Sequence, residues 1–214
     1  MTPTVASLVD PRNVPTVEFL VTAGEPMTTV VARKWTGYLF QDGNDYALID
    51  IAGYGPAETT NICTVKKMKP GDFIDHLGFS FENTSTFVLG PASTDVVPIG
   101  CVGELCFGGD QVAAGYLGMP DLTNAKFLDH PQFGRIYRSG DMGRMLPDGS
   151  LMVLGRMDDQ LKLRGQRIDT GEVSSILTTS GLATSSAVVI VNSANSSASQ
   201  LAVFYDFTNQ RQPV

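Results

Sequence analysis

Residues 142–155, MGRMLPDGSLMVLG, constrain the fold more than any other stretch of the chain. In the tripeptide Pro147-Asp148-Gly149, proline presets φ, aspartate bonds its own backbone and glycine supplies a positive φ. Apolar runs flank it on both sides, so the stretch reads as two antiparallel strands around a tight turn. The same grammar recurs upstream at TFVLG, GELCFGG and GRIYRSGDMGRML, with Gly, Pro and Asp as punctuation. Residues 73–155 are therefore expected to form a small antiparallel sheet or barrel. One helix, DLTNAKFL (121–128), interrupts it, with Asp121 as its cap.

The flanks differ. VEFLVT (17–22) has strand length and composition, and Pro26 suits the first turn of a helix whose apolar face is Met27, Val30 and Val31. Trp35, at the end of that helix, is assigned to the core. A second buried strand, YALIDIAG (46–53), runs into YGPAETT. A strand followed by a Gly/Pro turn and polar groups is how α/β sheets present ligand contacts at carboxyl ends of strands. Downstream, Asp169 and Glu172 form a capping-box pair before Val173, Ile176 and Leu177, and Gly181 stops that helix. Two strands, SAVVIV and LAVFYDF, follow, joined by NSANSSASQ, a polar loop expected to be solvated and mobile. The expected fold class is α/β plus β in three parts. Residues 1–72 are an α/β portion, 73–155 a distorted β-barrel, and 156–214 the start of a small, incomplete α+β domain.

Composition excludes several functions. With a net charge of −7 over 214 residues, the chain lacks the clustered Lys and Arg of a nucleic-acid binder. Its 43% hydrophobic content supports a core. No run approaches the ~20 apolar residues of a membrane span. The start, MTPTVASLVDPRNVP, has neither the cationic nor the apolar region of a signal peptide. Cys63, Cys101 and Cys106 have no metal-binding spacing and no even pairing, which fits a reducing cytoplasmic setting.

Three clusters carry possible chemistry. In GYGPAETT (53–60), Gly53 and Gly55 let backbone approach a ligand, Tyr54 offers a flat face to a purine, and Glu58 with Thr59 offers hard oxygens suited to Mg²⁺. The alternative is an exposed loop with a structural tyrosine. In RSGDMGRMLPDG (138–149), Asp141 can accept bonds from both ribose hydroxyls, or be an ordinary turn residue. In GRMDDQLKLRG (155–165), Arg156 and Lys162 suit ribose or phosphate contacts around Asp158. The same run also fits a solvated charge cluster, or an edge strand whose outward charges discourage aggregation. VAAGYL (112–117), His76 and His130 are read as structural.

VTAGEP, GYGPAETT, GELCFGGDQVAAGYLG, YRSGDMGRMLPDGSLMVLGRMDDQLKLRGQRID and GEV, in that order, resemble the adenylate-forming enzymes. Among these they resemble the adenylation domains of nonribosomal peptide synthetases, and the style of 73–155 resembles the fungal, siderophore-type ones. The resemblance implies activation of an amino-acid carboxylate by ATP with Mg²⁺. It further implies transfer to a phosphopantetheine thiol on a partner carrier domain, in an assembly with condensation domains. It makes Tyr54 the adenine-stacking ring, Glu58 the Mg²⁺ or phosphate partner, and Gly55 and Thr59 its neighbours at the nucleotide. Gly24 and Glu25 would border the adenine, Asp141 would hold the ribose with help from Arg156, and Asp158 would be the hinge. Lys162, with Gly165, would serve the later thiol step. Val21, Ala23, Gly53, Asn61 and Ile62 would line the amino-acid pocket.

The pattern departs from the family at Ala52, where Asn is frequent, at Ala57, where Thr is usual, and at Ala114, where Arg is common. A Gly-rich phosphate loop and a C-terminal catalytic lysine would lie outside these residues, so the segment alone is expected to be inactive in ATP–pyrophosphate exchange and poorly soluble. A non-catalytic remnant or interaction module, and a fragment of an acyl-CoA ligase, are the alternatives.

Overall fold

The computed structural model describes residues 1–17, 19–39, 49–158, 160–163, 166–192 and 199–207. The chain divides into two compact units, Met1–Met157 and Asp158–Val214.

The first unit opens with α1 (Pro3–Leu8), whose first turn is closed by the Thr2 hydroxyl accepting from Val5 N. A 3₁₀ turn (Pro11–Asn13), β1 (Phe19–Thr22), α2 (Thr29–Leu39) and β2 (Ile49–Tyr54) follow. Helix α2 starts later than the sequence suggests: Pro26 precedes it, and the Thr28 hydroxyl accepts from Val31 N as its cap. Its buried face is also rotated. Val31, Ala32, Trp35 and Thr36 are buried, whereas Val30 is 73% exposed. Trp35 lies inside the helix rather than at its end and donates its indole N–H to Ala6 O at 3.0 Å. It anchors a core with Leu20, Met27, Val31 and Met68.

A second 3₁₀ turn (Ala57–Thr59) leads to β3 (Thr64–Lys67), β4 (His76–Ser80), β5 (Ser85–Leu89) and β6 (Gly103–Gly108). The unit closes with α3 (Pro120–Lys126), β7 (Phe127–His130), β8 (Gly134–Met145) and β9 (Leu151–Arg156). Asp121 is not the cap of α3: Met119 holds that position without a side-chain bond, because Pro120 takes the first helical position and Asp121 falls within the first turn. The helix is also shorter than expected, since Phe127 and Leu128 belong to β7. The Pro147–Gly149 turn joins β8 to β9, with Gly149 at φ +86° and Leu146 N bonded to Ser150 O at 2.7 Å.

One nine-stranded sheet runs through this unit in the order β1-β2-β3-β4-β9-β8-β6-β5, with β7 paired beside β8. β1 and β2 are parallel, and every later pairing is antiparallel. The pairing of β3 with β4 carries the sheet across the expected boundary at 72/73, so that point is a change of character rather than a break. Cys63, Leu77, Val88, Leu105, Phe107 and Leu151 share one core. Leu77 is on β4 and Val88 on β5, four places apart in the strand order, so the sheet curls into a distorted barrel around these side chains.

The second unit contains a hairpin, β10 (Gln160–Leu163) with β11 (Gln166–Asp169), then α4 (Thr170–Thr179), β12 (Ala183–Asn192) and β13 (Ser199–Phe207). The Asp169 carboxylate accepts from Glu172 N and caps α4. Ile176, expected on its apolar face, is 61% exposed. β12 and β13 pair antiparallel. Residues 193–198 of the polar connection lie outside the described residues.

Candidate functional site

Tyr54 is the last residue of β2, and its carbonyl accepts from Cys63 N at 2.8 Å. That bond returns the chain sharply beside Gly55: a methyl group there would press into Asn61 O and sit 2.7 Å from Cys63 N. The turn thus requires glycine at 55 for close approach. Thr60 and Asn61 complete it at φ +58° and +85°. The phenol ring of Tyr54 leans on Phe107 with centroids 5.7 Å apart.

The Tyr54 hydroxyl donates to Asp141 Oδ2. Asp141 lies on β8 in register with Arg156 on β9, and Arg156 Nη1 donates to Asp141 Oδ1 at 2.9 Å and to Ser139 O at 2.8 Å. Tyr54 and Arg156, from two separate motifs, therefore meet at the carboxylate of Asp141, from a third. Burial, then the Asp141 charge, holds the Tyr54 phenol well above its ordinary range, with Arg156 acting in the opposite sense. Tyr54 is therefore a neutral donor at physiological pH.

Glu58 is reached from the same turn but engages a different element. It is buried, its carbonyl accepts from Ala113 N at 2.8 Å, and its Oε1 accepts from the Tyr116 hydroxyl at 2.7 Å. Tyr116 is a residue that sequence reasoning missed, having assigned 112–117 to structure. Its hydroxyl lies 3.4 Å from that of Tyr137, whose phenol burial pushes up. The only sequence signal was a Gly-Tyr pair in a polar-poor loop. Thr59 turns inward: it is fully buried, and its hydroxyl donates to Pro56 O and lies 2.8 Å from Cys63 Sγ. That hydroxyl holds the turn together.

Gly53, Ala23 and Ile62 come together, since a Cβ on Gly53 would lie 3.3 Å from Ile62 Cδ1 and 3.6 Å from Ala23 Cβ. The parallel pairing of Val21 with Ile51 places β1 beside them. Asn61 is exposed, and its carbonyl rather than its side chain packs on Gly55. Gly24 has φ +87°, and Glu25 Oε2 accepts from Thr4 N at 2.9 Å, tying the residue to α1. Met157 N bonds Gly140 O at 2.8 Å, so the first unit is pinned up to its final residue. Asp158 opens the second unit and accepts from Gln160 N. Lys162 is in register with Arg167 on the β10–β11 hairpin. Gly165 lies outside the described residues.

A curled antiparallel barrel is appended to a parallel β pair, and the Tyr54 hydroxyl and the Arg156 guanidinium meet at the Asp141 carboxylate. Residues 3–117 match the AMP-binding enzyme family, and the chain belongs to that family. It is 62% identical over 205 residues to nonribosomal peptide synthetase 2 of Gibberella zeae, covering 96% of this chain and 4% of that protein. It is 37% identical over 183 residues to the hydroxamate-type ferrichrome siderophore peptide synthetase of Schizosaccharomyces pombe, covering 84% of this chain and 4% of that one. The chain thus spans a small fraction of these relatives' length. Among solved structures it resembles the Vibrio cholerae adenylation domain AlmE in complex with glycyl-adenosine-5′-phosphate. The TM-score is 0.74 at 27% identity, over 99% of this chain and 41% of that one.

Proposed function

We propose that this chain is the nucleotide-facing part of an amino-acid-activating adenylation domain in a nonribosomal peptide synthetase. In the reaction, an oxygen of the amino-acid carboxylate attacks the α-phosphorus of ATP and the bond to the β-phosphate breaks. Aminoacyl-AMP forms and pyrophosphate leaves. A carrier-domain phosphopantetheine thiol then takes the acyl group, and AMP leaves. Such chemistry depends chiefly on positioning and charge stabilisation.

The observation that carries the reading is the convergence of Tyr54, Asp141 and Arg156 on one carboxylate. Tyr54 stacks the adenine with Phe107 behind it, Asp141 accepts the ribose hydroxyls, and Arg156 holds that acid in place. Glu58, fixed by Tyr116, supplies a hard oxygen of the kind Mg²⁺ takes. Among the described residues no group of three or more His, Cys, Asp and Glu gathers into a metal cage. A single carboxylate is the usual protein share when substrate phosphates supply further oxygens. When bound, Mg²⁺ would offset charge on the phosphates. Gly53, Ala23, Val21 and Ile62 line the amino-acid pocket, and the small side chains leave room there. Asp158 is assigned the hinge and Lys162 the thiol step. The relatives named for peptide and siderophore synthesis favour an amino acid over other acyl groups and a siderophore as the product class.

Replacing Asp141 with Ala in the full-length native polypeptide should raise the apparent KM for ATP about 30-fold, the equivalent of ~2 kcal/mol for lost charge-assisted bonds. The readout is amino-acid-dependent ATP–pyrophosphate exchange. An unchanged apparent ATP affinity would remove the ribose role.

A further inference from the structure

β6 contains an anomaly. All six of its residues are buried, and Leu105, Cys106 and Phe107 are fully so, yet Glu104 sits among them at 5% exposure. A buried carboxylate is costly unless paired and hydrogen-bonded. Glu104 is both. Its Oε2 accepts from Arg138 Nε and Nη2, each at 2.6 Å, and its Oε1 accepts from Gly140 N at 2.9 Å. Arg138 is further tied to Ser93 O at 3.3 Å.

The next residue of β6 continues the pattern. Leu105 O accepts from the Ser139 hydroxyl at 2.6 Å, and that hydroxyl accepts from Asp141 N at 3.0 Å. Arg138, Ser139 and Gly140 are thus each fixed by Glu104 or Leu105, and the following residue is Asp141. Gly140 adopts φ +74°, a conformation other residues rarely hold, so the strand here is locally bent and needs an outside restraint. The ladder registers of β6 with β8 and of β8 with β9 both shift beside this point. Apolar residues of similar volume would stabilise a core as well as a buried ion pair. What the pair adds is fixed direction at the backbone of 138–141.

We propose that Glu104, acting through Arg138 and the Gly140 amide, is a positioning residue that sets the Asp141 carboxylate for ribose and so determines selectivity for ribonucleotides. This rests on the ribose role of Asp141 given above. Glu104 touches no nucleotide in this scheme, and its influence runs entirely through the strand that presents Asp141.

The test compares dissociation constants for ATP and 2′-deoxy-ATP by calorimetry on the full-length native polypeptide. The variants are Glu104→Leu/Arg138→Met, Glu104→Gln and Asp141→Asn. The double variant replaces the pair with apolar groups and is expected to fold; Glu104→Gln keeps an acceptor for the Gly140 amide and carries the same test if the double variant does not. Thermal melts report folding separately. The wild type should prefer ATP, and the preference should shrink about fivefold in a folded Glu104 variant, the size of one net hydrogen bond. A structural role alone would lower the melting temperature and leave the ratio intact, which would overturn the proposal. An Asp141→Asn variant retaining the wild-type ratio would instead remove the ribose reading on which the proposal stands. Collapse of the ratio in Asp141→Asn together with an unchanged ratio in the Glu104 variants overturns the positioning alone.

Discussion

Tyr116→Phe removes one oxygen and leaves nearly everything else about that side chain in place. The ring keeps its edge contact with Phe127, centroids 5.4 Å apart, and the backbone keeps the bond from Tyr116 N to the Thr123 hydroxyl at 2.9 Å. What disappears is a phenol hydroxyl that donates to the buried Glu58 carboxylate at 2.7 Å and lies 3.4 Å from the Tyr137 hydroxyl. A hydrogen bond to a charged group contributes about 1.5–3 kcal/mol, a factor of roughly 10–150 in an equilibrium constant. Groups that orient a metal ligand cost about 10–100-fold in affinity or activity when removed, which is the same range. The expected outcome in ATP–pyrophosphate exchange is therefore an order-of-magnitude or larger rise in the Mg²⁺ concentration for half-maximal rate, with the KM for the amino acid unchanged. Adding Glu58→Ala to Tyr116→Phe should cost less than the sum of the two single changes, because each alone removes the Tyr116–Glu58 bond. A folded Tyr116→Phe protein with wild-type Mg²⁺ dependence would refute the argument, and strictly additive effects would show that the two side chains act independently.

Two further outcomes follow from the geometry. Gly55→Ala forces a methyl group against the Asn61 carbonyl and the Cys63 amide that bonds Tyr54 O, so it should destabilise by about 1–3 kcal/mol and weaken ATP binding through Tyr54; urea denaturation showing no loss would contradict the close approach. His76 accepts from Gly78 N and meets the Ser150 hydroxyl, and burial, then the Lys66 charge, lowers its pKa against the opposing pull of Asp148 and Asp72. A base depressed in the folded state gives stability that is present above its unfolded pKa, about 6.5, and is lost as pH falls through the folded value. The urea midpoint should fall between pH 7.5 and 5.5, and His76→Asn should flatten that slope; equal slopes would exclude His76 as the cause.

How much of this was legible in the sequence depended on the range of the interaction. The Pro147-Asp148-Gly149 hairpin and the Asp169 cap are local, and their residues act within a few positions of themselves. Tyr54, Asp141 and Arg156 were identifiable as chemistry-bearing groups, but their meeting depends on a sheet that pairs β3 with β4 and β4 with β9. Helix α2 was misphased because Val30 and Trp35 compete for the same 3.6-residue pattern, and the larger indole, with an N–H partner at Ala6, takes the core. Asp121 is displaced from the cap position because the proline before it takes the first helical position, which leaves Met119 as the cap. Tyr116 was invisible because its partner, Glu58, belongs to a turn that lies beside it only after folding. Glu104 lies within the GELCFGG strand, and its burial follows from Arg138 standing across the ladder.

The acidity of the chain adds one more step. A net charge of −7 should repel a nucleotide, and a bare carboxylate about 4 Å from a phosphate costs roughly 4 kcal/mol at an effective dielectric near 20. The acids that shape the site are not bare. Asp141 faces Arg156 and the Tyr54 hydroxyl, and Glu104 faces Arg138 and the Gly140 amide. Each guanidinium cancels the field of its acid toward a polyanion while leaving carboxylate oxygens in position to accept hydrogen bonds. Bulk charge therefore governs encounter and solubility, and the pairing within the sheet governs what the site can hold. On the proposed ribose role of Asp141, removing Arg156 would both loosen that acid and leave its charge uncompensated toward a bound nucleotide.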